Sequence, residues 1–194
     1  MELAPGFSLD KYVNDDLWSA LTEEQCGDIW LGAAEGLKWV HEKDYLHNDL
    51  KAENVMYDPG SRRTVLIDFG LAARYTPSSF RGGGTPCYVA PEYLSRQRFP
   101  VGDVWSLGVL IMFVSKLIQL PREEWELSKV FDGVTPDAQA MTDWIRRISA
   151  TVKQARLPDA DLLRRMVCIK HTERIASSEL VSCLASTQQQ AFTN

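Results

Sequence analysis

At 194 residues, 45% hydrophobic and 24% charged, the chain has the make-up of one ordinary soluble domain with a substantial core. A net charge of −5 argues against a nucleic-acid-binding surface and suits a soluble enzyme or a binding module with cationic partners. Cys26, Cys87, Cys168 and Cys183 lack Cys-x-x-Cys spacing and a histidine partner pattern, which argues against a metal or redox centre and fits reduced thiols in the cytoplasm or nucleus.

Taken in chain order, Thr22-Glu23-Glu24-Gln25 has the form of a helix capping box, and Cys26, Ile29, Trp30, Ala33, Leu37 and Val40 follow at helical spacing. They predict a long helix with one buried face, ending near Lys43-Asp44. Tyr45-Leu46 then leads into a polar loop, His47 to Asn54. Val55-Met56-Tyr57 and Thr64-Val65-Leu66-Ile67 are β-prone runs around the turn-forming Asp58-Pro59-Gly60-Ser61-Arg62-Arg63, which predicts a hairpin. Its two open ends would bring Asn54 and Asp68 together. Gly82-Gly83-Gly84 reads as a flexible stretch.

Val104 to Leu120 is apolar and about as long as the shortest membrane span, but Ser106, Ser115, Lys116 and Gln119 interrupt it and Pro121 ends it. A buried core helix beginning near Asp103 is therefore predicted, with no membrane role. Further helices are expected at about 137–155, 159–169 and 177–184, and Ser186 to Gln190 is expected to fray. There is no charged-then-apolar leader to signal secretion and no internal repeat.

Two of these segments carry chemistry. The loop reads His47-Asn48-Asp49-Leu50-Lys51-Ala52-Glu53-Asn54, and fourteen residues beyond Asn54 stands Asp68-Phe69-Gly70. Phosphoryl transfer needs a base near the acceptor hydroxyl and charges that hold phosphates and Mg²⁺. Asp49 is the candidate base. Lys51, two residues on and so on the same side of an extended loop, can neutralise a migrating phosphate. Asn54 and Asp68 offer oxygens suited to Mg²⁺, a hard cation. Gly70 frees the backbone behind the metal ligand, and Phe69 is expected to pack inward.

In this combination the chain resembles the C-terminal lobe of a eukaryotic Ser/Thr protein kinase. The likeness continues through Gly84-Thr85-Pro86-Cys87-Tyr88-Val89-Ala90-Pro91-Glu92, similar to the family's peptide-binding loop and Ala-Pro-Glu signature. It extends through Asp103-Val104-Trp105-Ser106-Leu107-Gly108 to Arg174, over nearly all of residues 1–184. The fold it implies is mainly α: a helical bundle around a central buried helix, with a small β-hairpin carrying the catalytic and metal-binding loops. Residues 1–8 would be a hinge-like segment, 9–184 the lobe and 185–194 a frayed tail.

The resemblance also implies ATP and Mg²⁺ as cofactors and a protein substrate with a Ser or Thr acceptor, a preference that Lys51 supports. Thr85 would bridge Asp49 and Lys51; Met1, Glu2, Leu3 and Met56 would border the nucleotide. Asp103 would tie the catalytic loop to the buried helix, Glu92 and Arg174 would form a buried ion pair, and His47 would brace the loop. His41 and His171 read as ordinary helix-end or surface histidines, and the six tryptophans as packing residues.

Two departures from the family pattern matter. No Gly-rich strand turn, strand lysine or helix glutamate precedes His47, and the sequence reads as starting at the hinge. Phosphotransfer would then need that other lobe, and the alternative is an inactive kinase-like module that binds a partner or itself through the surface facing it. Asn48 stands where many members have an arginine that pairs with a phosphorylated activation segment. Thr76, Ser78 and Ser79 remain candidate phosphorylation sites near Arg74 and Arg81, but a segment ordered without phosphate is the expectation.

Overall fold

In the computed structural model, which describes residues 4–77, 80–122, 125–155 and 160–191, the chain opens with a two-residue strand, β1 (Phe7–Ser8), and a short helix, α1 (Leu9–Asn14). The long helix α2 (Glu23–Glu42) starts where the sequence says it should. Thr22 Oγ1 accepts the Gln25 N–H at 3.1 Å and Gln25 Oε1 accepts the Thr22 N–H at 2.9 Å, a reciprocal cap that contributes about 1 kcal/mol. Ile29, Ala33, Ala34, Leu37 and Val40 form its buried face.

Two short ladders follow. Strand β2 (Tyr45–Leu46) leaves α2, and β3 (Val55–Asp58) and β4 (Arg63–Leu66) form the expected hairpin, with Val55 opposite Leu66 and Asp58 opposite Arg63. The hairpin turn is shaped by the Asp58 carboxylate, which accepts from the Ser61 hydroxyl at 2.7 Å and the Gly60 N–H at 3.1 Å. Strand β1 extends the sheet in the order β1-β3-β4, with Phe7 opposite Tyr57 and Ser8 opposite Met56. Strand β5 (Ala73–Arg74) returns to pair with β2, Leu46 opposite Ala73.

The hairpin lies directly on α2. A Cβ at Gly32 would come within 2.7 Å of the Thr64 side chain, and one at Gly36 within 2.9 Å of Leu66. Hydrogen atoms at these two positions, about one turn apart, let β4 settle onto the helix. Arg62 clasps the same contact from outside, bonding Asp28 at 2.6 and 2.9 Å and Glu24 at 2.7 Å.

The centre is α3 (Pro100–Val114), whose Val104, Trp105, Leu107, Val109, Leu110, Met112 and Val114 are all buried. It stops at Ser115, well short of Leu120, and among the described residues no helix is long and apolar enough to cross a membrane. Around it pack α4 (Pro136–Gln154), capped by the Thr135 hydroxyl, then α5 (Ala160–Met166) and α6 (Ser177–Ala191). The last helix continues past residue 184, so the stretch expected to fray is helical. It runs against α2, with Gln188 beside Gly27. The architecture is the mainly helical bundle with a small hairpin that the sequence implies.

Candidate active site

Each chemical loop spans the gap between the two ladders. Residues 47–54 leave β2 and end at β3, while residues 67–72 leave β4 and end at β5. Because β2 pairs with β5 and β3 with β4, the loops are pinned to each other at both ends. The Ile67 N–H donates to the Asn54 carbonyl at 2.9 Å, continuing the β3–β4 ladder toward Asp68.

The first loop is held from below by the buried helix. Asp103, near the start of α3, accepts the His47 backbone N–H at 2.8 Å on Oδ2 and the Asn48 N–H at 2.9 Å on Oδ1. The fully buried His47 ring links the two loops: its Nε2 donates to the Ile67 carbonyl at 3.1 Å, and its Nδ1 accepts the Asp49 N–H at 3.4 Å. These bonds define the neutral tautomer protonated at Nε2. His47 therefore braces the loop, as expected.

Asp103 has another partner that sequence reading overlooked. His41, on the last turn of α2, sets Nε2 at 3.0 Å from Asp103 Oδ2 and Nδ1 at 2.8 Å from the Ser177 hydroxyl. Burial pushes the Asp103 carboxyl pKa upward, but the His41 hydrogen bond and charge, with the two backbone N–H groups, outweigh it and hold the value below the usual carboxylate range. His41 is thus no ordinary helix-end histidine. His171 also differs from expectation, stacking on the Phe99 ring with centroids 4.1 Å apart.

Three side chains converge on Asp49. The Thr85 hydroxyl donates to Oδ1 at 2.7 Å, Lys51 Nζ lies 3.5 Å from Oδ2, and the Asn54 amide nitrogen donates to the Asp49 carbonyl at 2.8 Å. Thr85 and Lys51 meet at the Asp49 carboxylate from its two oxygens. With its nitrogen engaged, Asn54 has the amide oxygen as its remaining side-chain polar atom. Asp68 has a left-handed backbone, φ 58°, and an exposed carboxylate that accepts the Gly70 N–H at 3.1 Å. Two oxygen donors at adjoining hairpin ends fit the requirements of Mg²⁺.

Phe69 departs from expectation. Its ring lies 4.9 Å from that of His47 but is 46% exposed, lining the open surface groove between α2 and β4 instead of packing inward. Met56 is partly buried in β3 beside Ser8. Met1, Glu2 and Leu3, expected to border the nucleotide, lie outside the described residues, as do Ser78 and Ser79.

The platform beyond Thr85 is firmly anchored. The Trp144 indole N–H donates to the Cys87 carbonyl at 2.7 Å, and the Ser106 hydroxyl donates to the Tyr88 carbonyl at 2.8 Å. Glu92 and Arg174 form the expected buried pair, two parallel bonds of 2.8 and 2.9 Å, and Arg174 also donates to the Cys168, Val101 and Ile169 carbonyls. Its remaining donors are thereby satisfied, as a buried ion pair requires.

Comparison with known proteins bears on the chain as a whole. The profile of the protein kinase domain matches residues 1–184. The chain is 30% identical over 184 residues to serine/threonine-protein kinase PEPKR2 of Arabidopsis thaliana, covering 93% of this chain and 37% of that protein. It is 28% identical over 175 residues to probable serine/threonine-protein kinase MARK-A of Dictyostelium discoideum, 87% and 15% respectively. With serine/threonine-protein kinase CLA4 of Saccharomyces cerevisiae it shares 36% identity over 119 residues, 57% and 14%. The chain therefore spans well under half the length of each of these relatives.

Proposed function

Because this chain belongs to the protein kinase family, we propose that it supplies the catalytic half-site for moving the γ-phosphoryl group of ATP to Ser or Thr hydroxyls of a protein. Asp49 accepts the hydroxyl proton as the acceptor oxygen bonds to phosphorus and the bond to the ADP oxygen breaks. Thr85 fixes the rotamer of Asp49 and Lys51 offsets charge on the migrating group. Asn54 and Asp68 hold Mg²⁺, which when bound neutralises the phosphate oxygens. Met56 forms part of the floor under the nucleotide, and Met1, Glu2 and Leu3 its edge.

The observation that carries this reading is the convergence of Thr85 and Lys51 on the Asp49 carboxylate, since Thr85 lies 36 positions from Asp49 in sequence. The Gly-rich turn, lysine and glutamate of the family's other lobe are not among residues 1–194, so phosphotransfer needs them supplied from outside this stretch. The test is phosphotransfer by this chain, with the other lobe supplied, against its Asp49→Asn variant. A loss of about 10²–10⁴-fold is expected; equal rates would remove Asp49 from the mechanism.

A second reading, binding without catalysis, draws on Trp39 and Phe69, which are 62% and 46% exposed and line one groove with Leu31 and Leu66. Apolar surface of this kind marks interaction sites. Sedimentation of the chain with and without Phe69→Ser tests it. Association lost in the variant supports this reading, and a monomer that captures no partner opposes it.

A further inference from the structure

Arg98 lies between Glu92 and α3, outside every motif that carries the family resemblance. Its Nη1 donates to Asn48 Oδ1 at 2.8 Å and reaches the Asn48 carbonyl oxygen at 3.4 Å, and its Nη2 donates to the Gly83 carbonyl. The guanidinium also sits over the Tyr93 ring, 4.9 Å from its centre. Burial presses the pKa of this group down, yet an arginine keeps its charge in a protein. A cation withdrawn from water is costly unless its donors are used. Here the Nη1 and Nη2 groups join segments far apart in sequence, while Nε is buried with no partner among the described residues.

Those segments are the ones that must stay in register for Thr85 to meet Asp49. Asn48 directly precedes Asp49, and Gly83 stands two residues before Thr85. They touch backbone to backbone: a Cβ on Gly84 would lie 2.9 Å from the Asn48 carbonyl oxygen, and Gly84 takes φ 101°, which a side chain disfavours. Asn48 is itself left-handed, φ 66°, and its amide nitrogen donates to the Leu71 carbonyl at 3.0 Å. Through Asn48, one cation therefore gathers the catalytic loop, the stretch after Asp68 and the segment carrying Thr85.

We propose that Arg98 is a positioning residue that clamps the segment at Gly83 onto the catalytic loop at Asn48, holding Thr85 on Asp49 with no phosphate on the segment. The inference rests on the phosphotransfer reading only in naming Asp49 as the group positioned. Many family members carry an arginine at the place of Asn48 and meet a phosphate. Here the cation comes from position 98 and meets carbonyl and amide oxygens.

The experiment is hydrogen exchange of the Gly83 amide, which donates to the Tyr93 hydroxyl at 3.1 Å, in this chain shown by mass to be unphosphorylated. Leu110 in α3 serves as the global reference. Gly83 is expected to be protected in the wild type. Arg98→Met should raise its exchange about tenfold or more with Leu110 unchanged, and Arg98→Lys, which keeps one donor group, should restore part of the protection. Asn48→Gly suits the left-handed backbone while removing the amide, so it should loosen Gly83 likewise and add little to Arg98→Met in the double variant. It also decides the matter should Arg98→Met unfold. Unchanged Gly83 exchange in either folded variant, or wild-type protection that appears only after phosphorylation, overturns the proposal. None of these rates depends on phosphotransfer, so an inactive protein leaves the test intact.

Discussion

His41 Nε2 stands 3.0 Å from Asp103 Oδ2, the same oxygen that accepts the His47 backbone N–H. A helix end, the central helix and the catalytic loop thus share one carboxylate. Burial alone would raise its pKa, but His41 and the two backbone N–H groups reverse the sign.

Acid stability should reflect that reversal. A carboxyl whose folded pKa lies below its unfolded value, near 3.9, stabilises the fold above that pH, and the contribution disappears as pH falls through the depressed folded value. Asp103→Asn should lower stability at neutral pH by about 3 kcal/mol, since it leaves loop N–H groups poorly paired. Its stability should also fall less steeply in acid than that of the wild type. Urea unfolding of both proteins between pH 7 and pH 3 measures the two effects, and parallel pH profiles would contradict the assignment.

Thr85→Val removes the 2.7 Å bond to Asp49 while keeping the side chain's shape. In the proposed phosphotransfer, with the other lobe supplied, the variant should lose about 10- to 100-fold in kcat from a freed Asp49 rotamer. Thermal unfolding should hardly change. A large drop in melting temperature with normal turnover would make Thr85 a packing residue instead.

Metal dependence should map onto Asp68. In thermal-shift titrations, Mg²⁺ should increase the stabilisation given by ATP to the wild-type protein, and Asp68→Asn should lose most of that increment while retaining the shift due to nucleotide alone. An unchanged Mg²⁺ increment would remove Asp68 from the metal site.

The Glu92–Arg174 pair predicts an asymmetry between variants. Glu92→Gln strands a buried guanidinium and should cost about 3–5 kcal/mol, whereas replacing both partners with methionine should cost less. Chemical denaturation of the single and double variants compares them directly.

Much of this was legible because it is local. The Thr22 capping box, the Asp58-Pro59-Gly60-Ser61 turn and the apolar α3 run each announce an element within a few residues. Asp49, Lys51, Asn54 and Asp68 could be picked out because their chemistry and spacing are distinctive. Arg98 and His41 could not, since Asn48 lies 50 positions from Arg98 and Asp103 lies 62 from His41, and Arg98 in Ser95-Arg96-Gln97-Arg98 looks like any solvated surface residue. Phe69 differs because apolarity predicts burial, whereas its ring lines a groove that stays open at the surface.

The paired ladders also set rules for changing the chain's length. Residues 47–54 and 67–72 are tethered at both ends, by β2 to β5 and by β3 to β4. An added residue in either loop has no slack to occupy: it must bulge or shift the pairing by one, which turns alternate side chains to the opposite face. The hairpin tip at residues 59–61 is exposed and held through the Asp58 carboxylate at its base, while Arg62 behind it is tied to Asp28 and Glu24 of α2. Insertions are therefore admitted at the tip and refused around Asp49 and Asp68, where the protein can vary its chemistry by substitution but not its chain length.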